Sequence, residues 1–421
     1  MSAAPVTGRS LGTVGIATLV AAVLGYPLLV VTARVLSPLD NEVFLTFWGL
    51  LFGAGAVMST IEQEVSRQTT LADVAGKRAG FGVAQVVAVC AVAVLVLGLV
   101  VLLPPVSSRL FGDGGGSIAL AAAGGALGFA LQFGLRGLLL GSGQVKPYSA
   151  LVVVEPLIRA VLLGGFVVAG LNGLVPLTIA VAAGSLAWLV FAWRARPLVD
   201  LRGDREPWAV VARRMVVLML GAGLVASVLT GYPAVAKLFK SPADGDSLTA
   251  LFLTLTVARL PLLLLSPVQA LAVPTVVRLS VDAAGRRRLR ALLAKGAAAA
   301  VGVAALGAGL GALLGPWVIP LVFSAKYLVE SWVVAGLVWS SVVLGAVMLL
   351  AAVLVARKQV GAQLVLWAVV AATSVLVLWL WPADIVVRAV LGLVVAPTVG
   401  LALGAWLVLR ERAGDTVEAS G

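Results

Sequence analysis

The segment WRARPLVDLRGDREPWAVVARR, residues 193–214, carries six arginines, two aspartates and one glutamate. Long apolar stretches with few charges lie on both sides of it. A charge at the centre of a membrane-spanning helix costs about 2.5–3.5 kcal/mol on insertion scales, so this segment must lie in water beside a membrane. It separates two halves of similar length, and the helices can be counted outward from it.

The composition is that of an integral membrane protein. Of 421 residues, 61% are hydrophobic and 11% are charged, whereas a soluble domain carries about 25% charged residues. The net charge of +12 does not indicate nucleic acid, because the basic residues form short clusters between apolar stretches. We therefore expect a membrane-lipid environment and no nucleic-acid partner.

Apolar stretches long enough to cross a hydrocarbon core of about 30 Å predict twelve transmembrane helices, six on each side of the central segment. The predicted fold class is all-α, a polytopic membrane protein with two six-helix lobes. The lobes are residues 1–193 and 215–421, and a cytoplasmic basic linker at 194–214 joins them. The spans are predicted near 11–36, 43–61, 81–103, 118–140, 148–170, 173–193, 215–236, 248–276, 296–322, 331–356, 361–381 and 383–409.

The distribution of lysine and arginine predicts the orientation. With twelve spans both termini lie on one side, and 22 of the 30 basic residues fall in loops on that side, against six on the other. Because cytoplasmic loops carry the excess of positive charge, both termini are predicted to be cytoplasmic.

A short motif recurs at the start of each half, in the same order. Since each half has six spans, the recurrence predicts a parallel repeat related by an axis along the membrane normal, and two such bundles generally enclose a cavity. The alternative is coincidence in a sequence rich in Gly, Ala, Val and Leu. The two copies are Gly25-Tyr26-Pro27 with Ser37-Pro38 and Asp40, and Gly231-Tyr232-Pro233 with Ser241-Pro242 and Asp244.

Prolines within the spans predict places where helices bend, because each proline removes a backbone hydrogen bond. Helix eight holds three of them and is predicted to be the most broken segment. The candidate hinge residues are Pro27, Pro233, Pro261, Pro267 and Pro274.

Ionisable residues inside the membrane are candidate substrate contacts. Arg259 lies near the middle of helix eight, too deep for its side chain to reach the interface. Glu155 and Arg159 share one face of helix five, and their spacing suits either a structural ion pair or a role in the cavity. The same spacing places Gln132 and Arg136 on one face of helix four, although Arg136 is close enough to the end to extend into water.

Helix two is followed by Glu62, Gln63, Glu64 and Arg67. This turn is predicted either to continue the helix into a polar cavity or to form a hydrated helix end. Glu62, Glu64 and Arg67 are included among the candidate substrate contacts.

Several functions are not indicated by the sequence. There is no histidine and only one cysteine, Cys90, so neither a disulfide nor a His/Cys metal site is expected. No Gly-rich phosphate loop ending in Lys-Ser/Thr is present. The outer acidic residues are typical of turns. We expect no enzyme activity, no catalytic residues, no cofactor and no metal.

Three stretches share residues with a known family. They are Ala258-Arg259-Leu260-Pro261 through Pro267, Gln269 and Pro274 to Arg278; Arg136-Gly137 through Gly141, Gly143, Tyr148 and Glu155 to Arg159; and Ala33-Arg34-Val35-Leu36-Ser37-Pro38 with Phe44, Phe47 and Trp48. In these stretches and in its six-plus-six layout the chain resembles the polysaccharide-exporter and lipid-linked-oligosaccharide flippase branch of the multidrug/oligosaccharidyl-lipid/polysaccharide (MOP) exporter superfamily.

The resemblance implies a flippase of the bacterial cytoplasmic membrane that moves a polyprenyl-diphosphate-linked glycan by alternating access, for surface polysaccharide synthesis. It implies that Arg259, Arg159 and Arg136 contact diphosphate or sugar, since a guanidinium binds phosphate bidentately. Gln269 belongs to the same motif. Glu62 and Glu64 would bind sugar hydroxyls or a coupling cation. A polysaccharide polymerase or glycosyltransferases are the protein partners it implies.

Two alternatives stay open at this stage. A cation-coupled multidrug antiporter of the same superfamily would have the same layout. A major facilitator transporter is favoured by a loop motif of the form D-x-x-G-[RK]-[RK], although the glycine that precedes this motif is missing. The motif occurs at Asp73-Val74-Ala75-Gly76-Lys77-Arg78 and again at Asp282-Ala283-Ala284-Gly285-Arg286-Arg287.

Overall fold

Helices account for most of the backbone of the described residues. The computed structural model describes residues 8–112, 114–200, 205–241, 244, 248–263, 283–357 and 359–410. Eleven helices in these ranges are long and apolar enough to cross a membrane, and Leu248–Ala258 is a shorter apolar helix. The predicted fold class, an all-α polytopic membrane protein, is confirmed. The one predicted span without a match among these eleven is the eighth, near 248–276, and part of that range lies outside the described residues.

Contacts between residues group the chain into two units, Met1–Leu238 and Phe239–Gly421. The first unit therefore includes the helix predicted to open the second lobe. This grouping follows contacts alone, and the predicted lobes 1–193 and 215–421 stay a prediction. The helices of the first unit are α1 (Gly8–Val35), α2 (Pro38–Val74), α3 (Phe81–Leu102), α4 (Pro104–Phe111), α5 (Gly116–Gly141), α6 (Val145–Val168), α7 (Leu174–Ala183), α8 (Trp208–Leu229) and α9 (Tyr232–Leu238).

The second unit contains six described helices. They are α10 (Leu248–Ala258), α11 (Leu260–Leu263), α12 (Ala283–Val322), α13 (Ser331–Ala356), α14 (Val360–Leu380) and α15 (Ile385–Leu409). Within this unit α13 packs on both α12 and α15. The helix α15 begins after Asp384, whose carboxylate accepts hydrogen bonds from the backbone of Val386 and Val387.

The helix α2 is the centre of the first unit. It begins at Pro38 because Ser37 accepts a hydrogen bond from the backbone of Asp40 and proline suits the first helical position. Its most extensive partner is α5, with α8 and α9 on other faces. In the most apolar window of α2, 61% of the residues are buried, against 17% for α1. The side chains of α2 are therefore available to several helices at once.

The close approach of α2 and α5 depends on two glycines spaced by four. A Cβ atom at Gly137 would lie 2.8 Å from the Glu62 carbonyl oxygen, and one at Gly141 would lie 2.6 Å from the Ser66 carbonyl oxygen. Small residues at this spacing allow two membrane helices to bring their backbones together. This contact places Glu62 of α2 beside Arg136 of α5.

Three predicted boundaries are corrected by the structure. The helix α2 continues to Val74 instead of ending near residue 61, because its charged residues find partners on neighbouring helices. The helix α8 begins at Trp208 instead of 215, so Arg213 and Arg214 belong to a helix and not to the linker. The helix α12 begins at Ala283 instead of 296.

Two predicted spans are interrupted. The seventh ends at Leu229 and restarts at Tyr232, so it forms two helices instead of one. The eighth is broken at Arg259, between α10 and α11. Here Pro261 lacks the N–H that an unbroken helix would use to bond the Val257 carbonyl oxygen. The sixth span continues past α7 as short 3₁₀ turns, and the segment Leu174–Arg194 remains long enough to cross a membrane.

Candidate functional site

Six polar residues of α2, α5 and α6 form one cluster in the first unit, which we call the central cluster. Its members are Glu62, Gln132, Arg136, Tyr148, Glu155 and Arg159. Five of the six are predicted substrate contacts, and Tyr148 is the addition. Two glutamates face two arginines, so the cluster is neutral in formal charge.

Arg136 connects the three helices. Its Nε lies 2.9 Å from Glu62 Oε2 and its Nη1 lies 3.8 Å from Glu155 Oε2. The guanidinium also lies over the rings of Phe133 and Tyr148, at 4.8 and 5.4 Å from their centroids. The side chain is 16% exposed. The expectation that Arg136 could extend into water is therefore wrong, since its charge is neutralised within the protein.

Tyr148 completes a ring of contacts with Glu62 and Arg136. Its hydroxyl donates to Glu62 Oε1 at 2.8 Å and accepts from Arg136 Nη2 at 3.3 Å. Tyr148 belongs to the second of the three stretches that resemble the family, but the sequence assigned it no role. Its i,i+7 spacing to Glu155 on α6 is the only local signal, because seven residues make about two turns and both side chains fall on one face.

The predicted pairing of Glu155 with Arg159 is confirmed. Arg159 Nη2 lies 2.7 Å from Glu155 Oε1, and its Nε donates to the Val181 carbonyl oxygen at 3.0 Å. The guanidinium lies 4.7 Å from the ring centroid of Phe52 and 5.5 Å from that of Phe129. Any substrate contact by Arg159 requires this enclosure to open.

Gln132 is fully buried and its amide donates to Glu155 Oε2. Its Oε1 atom accepts no hydrogen bond from any described residue. A buried carbonyl oxygen without a donor is unfavourable by about 1–3 kcal/mol. The cluster therefore keeps one acceptor for a hydroxyl or another donor that enters it.

A second group of charged residues joins α2 and α8, and we call it the α8 cluster. Its members are Glu64 and Arg67 of α2, Arg214 of α8, and Glu206 just before α8. Arg214 lies 3.1 Å from Glu64 Oε1 and 3.0 Å from Glu206 Oε2. Arg67 lies 2.8 Å from the same Glu64 carboxylate. The segment before α8 is fixed by Gln85, which donates to the Glu206 carbonyl oxygen at 2.8 Å and accepts from its backbone nitrogen at 3.1 Å. Glu64 and Arg67 are thus inside α2, as the helix-continuation alternative predicted.

Arg259, the first predicted substrate contact, belongs to the second unit. Arg259 is half-buried and occupies the turn between α10 and α11, where its backbone nitrogen donates to the Leu255 carbonyl oxygen at 3.1 Å. Gln269, Pro267 and Pro274 lie outside the described residues. Pro261 belongs to α11.

The remaining predicted hinge prolines differ from each other. Pro27 lies inside the unbroken helix α1. Pro233 lies in the first turn of α9, directly after the break at Thr230 and Gly231. A proline is tolerated in a first turn because the missing N–H has no helical partner there. The two copies of the Gly-Tyr-Pro motif therefore have different local structures.

Two buried ion pairs were not predicted. Glu42 of α2 is 1% exposed and pairs with Lys237 of α9. Asp244 pairs with Arg388 of α15 at 2.8 Å. The sequence assigned all four residues to loops or span ends, and each pair is separated by more than a hundred residues. The only sequence signal is that Asp244 belongs to the recurring motif.

The described residues include no group of three or more His, Cys, Asp or Glu side chains that could hold a metal ion.

Solved structures with a similar fold are transporters. A multidrug resistance MATE family transporter of the MOP superfamily, in its inward-facing conformation, superposes with a TM-score of 0.65 at 16% identity, covering 93% of this chain and 98% of that one. The lipid II flippase MurJ, in an inward closed conformation, gives 0.60 at 14% identity, covering 97% and 89%. A MOP superfamily transporter from Pyrococcus furiosus gives 0.52 at 16% identity, covering 96% and 97%.

The chain therefore has the fold of MOP superfamily transporters. This agrees with the fold that the resemblance implies. It also overturns the major facilitator alternative, because the loop motif that favoured it occurs here on a different fold.

Sequence relatives identify the family. No protein-family model matches the chain. The uncharacterized protein Rv1510 of Mycobacterium tuberculosis is 30% identical over 407 residues, which cover 95% of this chain and 91% of the relative. The uncharacterized protein Rv3630 of the same organism is 29% identical over 423 residues, covering 98% and 95%. The chain belongs to the same family as Rv1510.

Proposed function

We propose that this protein is a flippase that moves a polyprenyl-diphosphate-linked glycan across the bacterial cytoplasmic membrane by alternating access. The glycan and diphosphate occupy a polar cavity while the lipid tail stays in the bilayer. The product serves surface polysaccharide synthesis, and a polymerase or glycosyltransferases act on the same glycan. Both termini are cytoplasmic in this proposal, in accordance with the excess of basic residues in the loops on their side.

The observation that carries the proposal is the pairing of the buried carboxylates. Glu62 and Glu155 lie within 4 Å of Arg136, and Glu155 also pairs with Arg159. Glu64 pairs with Arg67 and Arg214 in the α8 cluster. A site for a cationic drug or a coupling ion requires uncompensated negative charge. A neutral site rich in hydrogen-bonding groups suits a glycan instead.

The arginines give such a site an affinity for phosphate. Arg136 is the least enclosed arginine of the central cluster, with a side chain 16% exposed against 4% for Arg159. An incoming diphosphate would take the place of Glu62 or Glu155 beside Arg136, and the released carboxylate would then need hydrogen-bond donors from the glycan, because an unpaired buried charge is costly. Arg259 of the second unit is the other proposed diphosphate contact. Glu62 and Glu155, once released, would accept hydrogen bonds from sugar hydroxyls.

The proposal is tested with purified full-length protein in liposomes that contain a polyprenyl diphosphate carrying a fluorescent sugar. A membrane-impermeant quencher measures how fast the labelled head group crosses the bilayer. We expect crossing faster than in protein-free liposomes. Arg259→Ala should slow it about tenfold or more, since a charge-assisted hydrogen bond contributes about 1.5–3 kcal/mol. Arg288→Ala, an exposed arginine of α12, is the matched control.

The alternative function is a cation-coupled multidrug antiporter, and the likeness to a MATE family transporter favours testing it in the same liposomes. A labelled cationic drug is supplied together with a sodium or proton gradient. Drug accumulation that collapses with the gradient, without movement of the glycan lipid, would exclude the flippase.

A further inference from the structure

An apolar groove of about 420 Å³ lies in the first unit, away from both polar clusters. Its walls come from α2, α3, α4, α5, α8 and α9. Ser227 is the one hydroxyl among the described lining residues, and it donates to the Leu224 carbonyl oxygen of its own helix. The groove therefore offers a ligand no hydrogen-bonding group and selects for hydrocarbon.

Small residues on neighbouring helices create the space. Gly53 of α2, Gly98 of α3, Ala123 of α5 and Gly223 of α8 all line it. A Cβ atom at Gly223 would lie 3.9 Å from the nearest Val57 methyl carbon, an ordinary contact distance. A larger side chain can therefore start from this position and extend into the groove.

The groove has the length of one leaflet. Its wall on α2 runs from Gly49 to Met58, and the nine steps between these residues rise about 14 Å. Half of a hydrocarbon core is about 15 Å. An acyl chain of one leaflet matches this length, whereas a polyprenyl chain is considerably longer.

A cation lies at one end of the groove, at the depth of lipid head groups. The helix α3 has 22 residues and so rises about 33 Å, enough to cross the core. The short helix α4 follows at once, with Leu110 buried in the groove wall and Arg109 exposed. Arg109 Nε donates to the carbonyl oxygen of Leu238, another lining residue, at 2.7 Å. This contact fixes the guanidinium at the groove mouth.

We propose that this groove binds one acyl chain of an anionic glycerophospholipid, whose phosphate contacts Arg109. The two halves of the site are matched to the two halves of the ligand. The apolar walls take the chain, and the cation above them selects for a net negative head group.

The test uses the full-length protein purified in mild detergent, with phosphatidylglycerol and phosphatidylcholine as probes and native mass spectrometry as the readout. Wild-type protein is expected to retain one phosphatidylglycerol in preference to phosphatidylcholine. Gly223→Leu should abolish the retention of both lipids. Arg109→Gln should weaken phosphatidylglycerol about fivefold, the factor expected of one cation at an anionic surface, and leave phosphatidylcholine unchanged.

Matched controls separate the groove from general effects. Gly165→Leu makes the same change at an exposed site of α6 with open space around it, and Arg34→Gln removes an exposed arginine at the end of α1. Both should retain lipid as the wild type does. Ala123→Ile fills the groove from α5 and replaces Gly223→Leu if that variant does not fold.

Three results would overturn the proposal. One is equal lipid retention by Gly223→Leu and Gly165→Leu. Another is a head-group preference that survives Arg109→Gln. The third is retention of a polyprenyl lipid in place of a phospholipid. None of these depends on whether the protein transports a glycan.

Discussion

Arg159 lies between a carboxylate, a backbone carbonyl and two aromatic rings, and its side chain is 4% exposed. The absence of a side chain at Gly184 leaves space for Arg159. A Cβ atom at Gly184 would lie 2.4 Å from Arg159 Nε. An arginine enclosed in this way acts first by holding Glu155 in place.

Arg159→Ala is therefore expected to destabilise the folded protein. It leaves Glu155 buried, with Arg136 Nη1 at 3.8 Å as the remaining basic partner. Loss of one partner of a buried pair lowers the free energy of unfolding by about 3–5 kcal/mol. Denaturant unfolding in mixed micelles will measure this loss.

Arg67→Ala is the control, since the Arg67 side chain is 52% exposed and its partner Glu64 keeps Arg214 as a basic partner. Its loss should cost less than about 1 kcal/mol. If the two variants unfolded at the same denaturant concentration, the enclosure of Arg159 would contribute nothing to stability.

Sequence spacing predicts polar contacts within a helix but not between helices. The separation of four residues was enough to predict that Glu155 and Arg159 meet, because i and i+4 share a face. Glu62 and Arg136 meet because Gly137 and Gly141 bring α2 against α5, and no local pattern carries that information. The sequence therefore left open whether Arg136 extends into water, whereas in the structure it pairs with Glu62 of α2.

At the scale of helices, the contact between α2 and α5 decides where the central cluster forms. Gly137→Ala and Gly141→Ala should each destabilise the protein by about 1–3 kcal/mol, because the new methyl groups would collide with backbone of α2. The measurement is again unfolding in micelles. Displacement of α2 should also weaken the contact of Arg136 with Glu62. We therefore expect slower transport of the labelled lipid in the liposome assay.

Gly124→Ala on the same helix is the matched control, since nothing lies within 4 Å of its Cβ position. There the substitution should be neutral or stabilising by up to about 1 kcal/mol, as expected of alanine over glycine in a helix. Equal behaviour of the three variants would mean that α2 and α5 can separate at no cost.

The helices α8 and α9 are held to α2 at both ends. One end has the α8 cluster, with Arg214 on Glu64. The other has the buried pair of Glu42 with Lys237. Between them, a Cβ atom at Gly49 would lie 3.0 Å from the carbonyl oxygen of Thr230, which marks the break between the two helices.

A double-mutant cycle tests the pair of Glu42 and Lys237. Lys237→Met alone leaves a glutamate that is 1% exposed without its cation, and should cost about 3–5 kcal/mol. Glu42→Gln combined with Lys237→Met removes both charges and should recover much of that loss. A double variant as unstable as the sum of the two singles would show that the charges do not interact.

The same helices show why element boundaries were harder to predict than element types. Hydropathy correctly located the apolar part of α2 and α8, but charged ends were assigned to loops. In the structure Glu64 of α2 pairs with Arg214 of α8, and Glu62 of α2 pairs with Arg136 of α5. The helices can therefore extend beyond their apolar parts, and this compensation appears only when both are considered together.

At the scale of the molecule, fold class followed from the apolar stretches alone, because a lipid environment admits few architectures. The recurring Gly-Tyr-Pro motif was less informative. Its two copies fold differently, with Pro27 inside an unbroken helix and Pro233 after a break. The second half of the sequence therefore has a helix break at a position where the first half has a continuous helix.

Orientation in the membrane is tested by labelling single cysteines. The helix α3 separates Lys77, exposed before it, from Ser108, exposed after it. In a Cys90→Ser background, which removes the single native cysteine, Lys77→Cys should react with an impermeant maleimide only after permeabilisation. Ser108→Cys should react in intact spheroplasts. These outcomes follow if the loops rich in lysine and arginine are cytoplasmic.

Two other labelling results are possible, and each leads to a different conclusion. Labelling of both cysteines from one side would show that α3 does not cross the membrane, although it has 22 residues and all except Gln85 and Cys90 lack a polar side chain. Reversed labelling would keep the helices and place the basic loops outside. A flippase of that orientation would present its arginines to the opposite leaflet. The proposed direction of glycan movement therefore depends on the side from which Lys77→Cys is labelled.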